Sequence, residues 1–323
     1  MTAVLPNLLV VGVPKAGTSS LFFYLAQHPS ICGSDEKEVG YFTPLRTPTG
    51  KLGPVETYAA HFAHCRGERY RLEATPSYSY GGERLVGAIQ DLLGSPRIII
   101  SLRDPVERLW SGYTMQRSRG KPGFSSSFDE YLAACEERHR LGTATEVGGY
   151  YQGLSIGFYA NYLGSWLRAF PGSVKVVFTD DLLSDPHAVV SDICRWLEID
   201  AYVVSSFKYE ARNTARHARN LALSRFVWSA KEHAHSFLNH APTLRDAVHR
   251  FIHRAPTLGD ALQGAYLRSN TGRLDEELDA SSRSRLNQIF AASNQEVAML
   301  LRANGYERLP GWLQSAEEPA ADW

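Results

Sequence analysis

The segment LLVVGVPKAGTSS, residues Leu8–Ser20, determines the fold class that we predict for this chain. Its first part, residues 8–11, is a continuous apolar run, which is typical of a strand buried on both faces of a parallel sheet. Apolar residues at helical spacing follow, so a helix is predicted over 19–27. A strand, a glycine-containing turn and a helix in this order predict an anion site at the helix N-terminus.

The turn differs from a Walker A loop in the position of its basic residue. Gly12 and Gly17 have the spacing of the Walker A glycines, but Thr18 stands where that pattern has lysine. The basic residue is Lys15, inside the loop, where its ammonium group can reach an oxygen of a bound anion. The alternative interpretation is a tight glycine turn that a hydroxyl residue caps and that binds no ligand.

Two more apolar runs predict further strands of the sheet. Residues 97–102 (RIIISL) and 174–178 (VKVVF) have the pattern of buried strands, and helices are predicted from Pro105 to about 115 and over 188–197. Strands that alternate with helices indicate an α/β fold with a central, mostly parallel sheet flanked by helices.

Composition narrows the function classes. The 323 residues hold 34 Lys+Arg and 34 Asp+Glu, so the chain lacks the net charge that favours nucleic acid or an anionic membrane. No apolar run approaches the roughly 18 residues of a membrane span, and the N-terminus lacks the basic region of a signal peptide. We expect a cytoplasmic protein with one domain over 1–323 and a structured core over 7–312.

The cysteines give no evidence of a metal centre. They stand at Cys32, Cys65, Cys135 and Cys194. This spacing contains no C-x-x-C pair and no closed zinc set, so we expect reduced thiols, with two disulfides as the open alternative. His61 and His64, close to Cys65, are interpreted as one face of a helix rather than as metal ligands.

Gly153–Gly157 (GLSIG) fits the G-x-S-x-G nucleophile elbow of α/β-hydrolases. That elbow follows a buried strand. The preceding residues, 148–152 (GGYYQ), make a poor strand, so a helix start is favoured over a hydrolase site.

A second candidate site lies in Ser101–Tyr113, SLRDPVERLWSGY. Arg103 follows a predicted strand at its carboxyl end, where ligands bind in open α/β sheets. An arginine there can pair with a phosphate through two hydrogen bonds. Ser111 lies in the helix that follows. The alternative is an arginine paired with the local acids, Asp104 and Glu107.

Together the two motifs resemble the 5′- and 3′-phosphate motifs of sulfotransferases that use 3′-phosphoadenosine 5′-phosphosulfate (PAPS). A third stretch, Lys37–Phe42 (KEVGYF), resembles the segment of heparan sulfate N- and 3-O-sulfotransferases and their bacterial relatives that carries the catalytic glutamate. Glu73–Tyr78 (EATPSY) extends the similarity, which spans about residues 7–312. The resemblance implies a P-loop-like fold, similar to nucleoside kinases, with PAPS as cofactor, adenosine 3′,5′-bisphosphate as product, and no metal.

The resemblance also implies roles for individual residues. Glu38 would take the acceptor proton, Lys15 would stabilise charge on the leaving phosphate, and Lys37 would hold the sulfuryl oxygens. The implied cofactor contacts are Lys15, Ala16, Gly17, Thr18, Ser19, Ser20, Arg103 and Ser111. The implied substrate contacts are Lys37, Glu73 and Tyr78. Glu73 is a second candidate base, and the alternative for Glu38 is a solvated carboxylate paired with Lys37.

The sequence departs from the family pattern in two places, one expected to contact the acceptor and one expected to contact the 3′-phosphate. Ala74 stands where the heparan sulfate 3-O-sulfotransferases carry a lysine. The loop over the 3′-phosphate has two weak candidates, residues 270–273 and the set Arg212, Asn213 and Arg216. We expect residues 208–280 to be helical. Within them the basic, histidine-rich part, 208–254, is interpreted as an acceptor-side region or lid, or else as a solvated helical face.

These observations predict a bacterial, cytoplasmic enzyme that moves a sulfuryl group from PAPS to a hydroxyl or amine of a sugar, natural product or other small acceptor. No nucleic acid or membrane span is expected, and the sequence does not indicate the oligomeric state. One alternative is a small-molecule kinase that uses ATP and magnesium, which the position of Lys15 disfavours. The other is a nucleotide-binding protein without catalytic activity.

Overall fold

The computed structural model describes residues 4–119, 124, 127–142, 150–210, 216–218, 271–273 and 277–314. Its strands are β1 (Leu8–Gly12), β2 (Ile31–Gly33), β3 (Tyr70–Ala74), β4 (Arg97–Leu102), β5 (Val174–Phe178), β6 (Arg216–Ala218) and β7 (Thr271–Arg273). Its α-helices are α1 (Thr18–Leu25), α2 (Val55–Ala60), α3 (Glu83–Leu93), α4 (Pro105–Arg119), α5 (Phe128–Arg140), α6 (Gly153–Gly157), α7 (Ala160–Ala169), α8 (Thr179–Ser184), α9 (Pro186–Trp196), α10 (Ala280–Ala303) and α11 (Gly311–Gln314). Short 3₁₀ helices lie at Thr43–Arg46, Pro76–Tyr78 and Tyr202–Ser206.

The first five strands form one parallel sheet in the order β2-β3-β1-β4-β5. After β1 the chain builds β2 and β3 on one side of it and then crosses to β4 on the other side. In open parallel sheets a ligand binds beyond the carboxyl ends of the strands, where the connections diverge in this way. The topology therefore predicts a ligand site beyond the carboxyl ends of β1 and β4. The predicted fold class, a parallel sheet flanked by helices, is confirmed.

Helices cover both faces of the sheet, which explains why β1 is apolar throughout. Leu9 and Val11 pack into the cluster that includes residues of α3, α7 and α10. Leu8 and Val10 pack on the opposite face with α1 and α9. Because successive side chains of a strand point to opposite faces, a strand between two helical layers needs a continuous apolar run.

The observed boundaries lie close to the predictions for the strongest apolar runs. β4 and β5 have the predicted bounds, β1 extends one residue further, to Gly12, and α4 continues beyond the predicted end near 115. The sequence analysis did not identify β2 or β3, because β2 is short and β3 carries the polar residues Arg71 and Glu73. Gly153–Gly157 forms α6, so the strand-to-helix elbow of a hydrolase is not formed there.

Of residues 208–280, which we expect to be helical, the structure describes only 208–210, 216–218, 271–273 and 277–280, and these include two short strands. β6 and β7 pair antiparallel, with Arg216 opposite Arg273, and β6 lies against α4. Their backbone groups are therefore satisfied by pairing between distant segments, which helical periodicity does not reveal. Arg212, Asn213 and residues 219–254 of the histidine-rich part lie outside the described residues.

The expectation of reduced thiols is wrong for two of the cysteines. Cys32 in β2 and Cys65 after α2 form a disulfide with a Cα–Cα distance of 5.8 Å. Their separation of 33 residues hid this contact, because it depends on how the chain returns from α2 to the edge strand. Cys135 and Cys194 are free and buried. Among the described residues no helix is long and apolar enough to cross a membrane.

Candidate active site

The phosphate loop, defined here as Gly12–Gly17, connects β1 to α1 in a tightly constrained conformation. Lys15 and Gly17 have φ values of 71° and 76°, in the left-handed region. A Cβ at Gly12 would lie 2.7 Å from the carbonyl oxygen of Pro76 and would collide with Ser79. Gly12 therefore permits the close approach of the loop to the chain that leaves β3.

The end of β4 holds the phosphate loop in this shape. The backbone N–H of Val13 donates to the carbonyl of Ser101 at 2.8 Å, and the Ser101 hydroxyl donates to the carbonyl of Ala16 at 2.5 Å. Arg103 adds a hydrogen bond of 3.2 Å from Nη1 to the carbonyl of Lys15. Residues at the end of β4 therefore bind the loop carbonyls. The helix α1 begins at Thr18, and the positive end of its dipole points toward the loop.

Lys15 and Ser111 belong to the same neighbourhood. The Lys15 ammonium group lies 3.5 Å from Sδ of Met115 in α4. Ser111 precedes Met115 by four residues in that helix, so the two side chains lie on one helical face. The structure therefore brings the first two sequence motifs together beyond the carboxyl ends of β1 and β4.

Arg103 also has an acidic neighbour. Its Nη2 lies 3.7 Å from Glu107, whose other oxygen pairs with Arg283 of α10 at 2.6 Å. The local ion pair that the sequence analysis gave as an alternative is thus present. It is a long contact to a carboxylate that Arg283 holds more closely, so Arg103 retains capacity to bind an anion.

Glu38 lies on a loop that is fastened to the end of β3. Its backbone has a φ of 65°, and its N–H donates to the carbonyl of Ala74 at 3.2 Å. Two residues later, the N–H of Gly40 donates to the Thr75 hydroxyl at 3.1 Å. The Glu38 side chain is 57% exposed, and its Oε1 pairs with Nζ of Lys37 at 2.7 Å. β3 is the parallel neighbour of β1, so this loop and the phosphate loop both lie at the carboxyl ends of the strands.

Glu73 and Tyr78, both predicted to contact substrate, lie beneath this loop in the core. Glu73 is 1% exposed and accepts hydrogen bonds of 2.5 Å from the hydroxyls of Tyr58 and Thr75. Tyr78 is fully buried, and its hydroxyl accepts from the N–H of Phe42 at 3.2 Å. Both side chains therefore contact the loop of Glu38 from the protein interior.

Burial dominates the electrostatics of this network. Desolvation raises the pKa of Glu73, while hydrogen bonds from Thr75, Tyr58 and Tyr78 act in the opposite direction. Desolvation, and then the nearby Glu73 carboxylate, raise the pKa of the Tyr78 phenol. The hydroxyl donors satisfy the oxygens of the carboxyl group and so offset part of the cost of burying it.

The sequence analysis missed two arginines, Arg46 and Arg108, that act on the phenol of Tyr80. Desolvation raises the pKa of Tyr80. The positive charges of Arg46 and Arg108 lower that pKa, and the negative charge of Glu38 raises it. The Arg46 guanidinium lies over the Tyr80 ring at 4.3 Å and donates to Gln152 at 3.5 Å. Arg108 is buried. Arg46 lies only eight residues after Glu38, but no motif in the sequence distinguished it from a surface arginine.

Residues 5–241 match the sequence family described as the sulfotransferase domain. The chain belongs to the sulfotransferase family. The crystal structure of a sulfotransferase from Alicyclobacillus acidocaldarius superposes with a TM-score of 0.64 at 24% identity, covering 96% of this chain and 99% of that one. The parallel sheet, phosphate loop and flanking helices are accordingly the sulfotransferase fold.

Several relatives of the chain are larger proteins. It is 37% identical over 112 residues to the membrane-associated sulfotransferase kil1 of Dictyostelium discoideum, covering 34% of this chain and 22% of that protein. It is 29% identical over 209 residues to mouse heparan sulfate glucosamine 3-O-sulfotransferase 6, covering 63% and 55%. It is 24% identical over 323 residues to human bifunctional heparan sulfate N-deacetylase/N-sulfotransferase 2, covering 96% and 31%. The chain thus spans less than two thirds of each relative.

Proposed function

We propose that the chain transfers a sulfuryl group from PAPS to a hydroxyl or amine of a saccharide or another small acceptor. The observation that carries this proposal is the meeting of three elements at one edge of the sheet. The phosphate loop with Lys15 follows β1, Arg103 follows β4, and the loop carrying Glu38 is fastened to the end of β3. Cationic and basic groups therefore converge where an open parallel sheet binds its ligand.

The donor groups around the phosphate loop fit a phosphosulfate. They are an ammonium, a guanidinium, hydroxyls and the amides of a helix N-terminus, all of which donate to anionic oxygens. We assign the 5′-phosphosulfate to Lys15, Ala16, Gly17 and the hydroxyls of residues 18–20. We assign the 3′-phosphate to Arg103 and Ser111. The pair β6–β7 lies against the helix that carries Ser111, which makes it the candidate cover for that phosphate.

PAPS supplies the sulfuryl group and a bisphosphate leaving group when it is bound. Lys15 would then face the oxygen on which negative charge develops, and preorganised charge of this kind is often the largest contribution to catalysis. Glu38 would accept the proton of the acceptor. Lys37 binds Oε1 of Glu38, so we assign Oε2 to the acceptor. A positioned general base contributes about 10² to 10⁴ in rate.

We assign Glu73 a positioning role rather than a chemical one. Its carboxyl group holds Thr75, which in turn accepts from Gly40 two residues after Glu38. Through Tyr58 it also holds α2. The loop of Glu38 is thereby fixed on the side away from solvent, which leaves the Glu38 carboxylate exposed toward the acceptor.

The acceptor assignment rests on the relatives and on local charge. Two of the relatives are named for heparan sulfate, one for 3-O- and one for N-sulfation. Arg46, which lies over the Tyr80 ring, and Glu38 both influence the pKa of Tyr80, and we assign the positive charge of Arg46 to an acidic saccharide. Ala74 lacks the ammonium group that the 3-O-sulfotransferases have at that position, so the contacts to the sugar differ from theirs.

Calorimetric titration tests the cofactor first. We expect metal-independent binding of adenosine 3′,5′-bisphosphate and weaker binding of ATP, with or without magnesium. Binding of ATP only with magnesium, and none of the bisphosphate, would overturn the proposal in favour of the kinase alternative.

Release of the bisphosphate from PAPS then tests catalysis. Two heparosan-derived acceptors separate the reactions: one with free glucosamine amines, and one with N-sulfated glucosamines and free 3-hydroxyls. We expect turnover, and we expect Glu38→Gln to lower it by about 10² to 10⁴. Cofactor binding without any turnover, across these and smaller acceptors, would favour the alternative of an inactive nucleotide-binding protein.

A further inference from the structure

Cys32, His64 and Cys65 form a cluster of soft donor atoms at the edge strand of the sheet, outside the phosphate loop. Their sulfurs and an imidazole nitrogen all lie within 4.8 Å of one another. Nε2 of His64 is 3.3 Å from Sγ of Cys32. Cys32 is buried, Cys65 is half-buried and His64 is exposed, so the cluster is open to solvent on the histidine side.

We propose that this cluster, once its disulfide is reduced, is a binding site for a soft divalent cation of the zinc class. Thiolate and imidazole are the ligands that zinc prefers, and three protein ligands plus water complete a tetrahedral site. The proposal concerns the dithiol state of the chain and does not depend on the proposed sulfuryl transfer.

The three ligand atoms can reach the distances of a tetrahedral zinc site. Zinc bonds of about 2.3 Å to sulfur and 2.0 Å to nitrogen place tetrahedral ligands about 3.5 to 3.8 Å apart. The distance between Cys32 Sγ and His64 Nε2 is already 3.3 Å. The two sulfurs must separate to about 3.8 Å. The Cα–Cα distance of 5.8 Å allows this by rotation of the cysteine side chains.

The chemistry of the change balances with a dithiol as reductant. The dithiol gives two electrons and two protons, the Cys32–Cys65 bond breaks, and the dithiol closes to its own disulfide. Metal binding then releases the two thiol protons to solvent. His64 ligates through Nε2, so its remaining proton must reside on Nδ1. This releases the contact of 3.0 Å that Nε2 makes with the carbonyl oxygen of Gly33.

The position of the cluster gives the metal a structural role. Disulfide and metal would close the same segment, residues 33–64, which carries Lys37, Glu38 and Arg46. A disulfide persists in an oxidising compartment, whereas thiols and zinc belong to a reducing one. The cluster would therefore keep this segment closed in either environment.

Cobalt titration under anaerobic conditions tests the proposal without an activity assay. The chain is reduced with dithiothreitol, which is then removed by gel filtration. We expect one equivalent of Co²⁺ to produce the visible bands of a tetrahedral site and a thiolate charge-transfer band, with zinc displacing the cobalt. Proton release of two per metal is expected, and the oxidised chain should show none of these signals.

Three variants identify the ligands. Cys32→Ser should abolish the charge-transfer band of the cluster. His64→Ala keeps both thiols and should weaken binding by more than the roughly 10- to 100-fold that loss of an outer-sphere partner costs. His61→Ala is the matched control, because His61 pairs with Asp35 at 2.7 Å instead, and it should bind like the wild type. Absence of a stoichiometric thiolate band in the reduced wild type, or unchanged affinity in His64→Ala, would overturn the proposal.

Discussion

The phosphate loop and the segment of residues 33–64, here called the Glu38 segment, reach the same edge of the sheet but are held in different ways. The phosphate loop is continuous with β1 and α1, and β4 binds its carbonyls. The Glu38 segment has little regular structure around Glu38 and depends on distant partners. Ala74 and Thr75 accept its amides, and Arg84 of α3 donates to its carbonyls at Thr47, Pro48 and Gly50.

This difference separates two kinds of catalytic position. A residue in the phosphate loop is placed by local geometry, so the loop should tolerate changes elsewhere in the molecule. Glu38 is placed by a buried carboxyl network and by a cross-link, so its function should be sensitive to remote substitutions. The predictions below test that contrast.

The largest expected effect is that of Glu38→Gln. Loss of the general base should lower kcat by about 10² to 10⁴, with the affinity for adenosine 3′,5′-bisphosphate unchanged. Steady-state release of the bisphosphate and calorimetry measure the two quantities. Glu36→Gln is the control, since Glu36 is an exposed carboxylate two residues away. An equal loss of kcat in Glu36→Gln would contradict the assignment of Glu38 as the general base.

Lys15→Ala should lower kcat by about 10² to 10³, the loss typical of one donor to developing charge. The phosphate loop should keep its shape, because its contacts with β4 use backbone atoms and Ser101. Rates at saturating PAPS measure the effect, with the exposed Lys51→Ala as control. A rate near that of the wild type would contradict the role assigned to the ammonium group.

The double variant Cys32→Ser/Cys65→Ser tests the cross-link of the Glu38 segment. Opening a loop of 33 residues should lower the free energy of unfolding by about 3 to 4 kcal/mol when a chelator removes metal. Urea denaturation measures this loss. Because the phosphate loop lies outside the cross-linked segment, affinity for the bisphosphate should stay constant while kcat falls. Parallel loss of binding and turnover would mean that the two regions are not independent.

Arg103→Ala should mainly weaken cofactor binding. A hydrogen bond to a charged group is worth about 1.5 to 3 kcal/mol, or roughly a 10- to 150-fold change in affinity. Calorimetry with the bisphosphate measures it, and Arg97→Ala is the control. Arg97 begins the same strand at the opposite edge of the sheet, where it stacks on Trp196. A matching loss of affinity in Arg97→Ala would indicate a general effect on β4.

The contrast also explains which features the sequence predicted. The central strands, the phosphate loop and α4 depend on contiguous apolar runs and local glycines, so their positions followed directly. β3 was missed because Glu73 interrupts its apolar pattern. That buried carboxyl group is tolerated because hydroxyls from α2 and from the turn after β3 donate to it. The disulfide and the Arg46–Tyr80 contact likewise depend on tertiary packing, which neither residue type nor spacing indicates.

The smallest expected effect is the pH dependence that Glu73 gives to stability. Burial raises the pKa of Glu73 above its ordinary value of 4.5. Between the unfolded and the folded pKa the native state therefore binds more protons than the unfolded state, and the free energy of unfolding falls as pH rises through that window. Tyr58 and Tyr78 add no slope there, because desolvation raises the pKa of both phenols well above 10.

Glu73→Gln removes this titration and should flatten the corresponding part of the stability profile. The measurement is urea denaturation of both proteins from pH 4.5 upward, expressed as the difference in free energy of unfolding. We expect wild type minus Glu73→Gln to decrease as pH rises. Thr75→Val is the control, because it removes one donor and keeps the carboxyl group, so its profile should retain the slope. If the difference in free energy of unfolding rises with pH instead, the hydroxyl donors outweigh desolvation. Folding would then lower the pKa of Glu73, and an ionised Glu73 would hold the loop of Glu38.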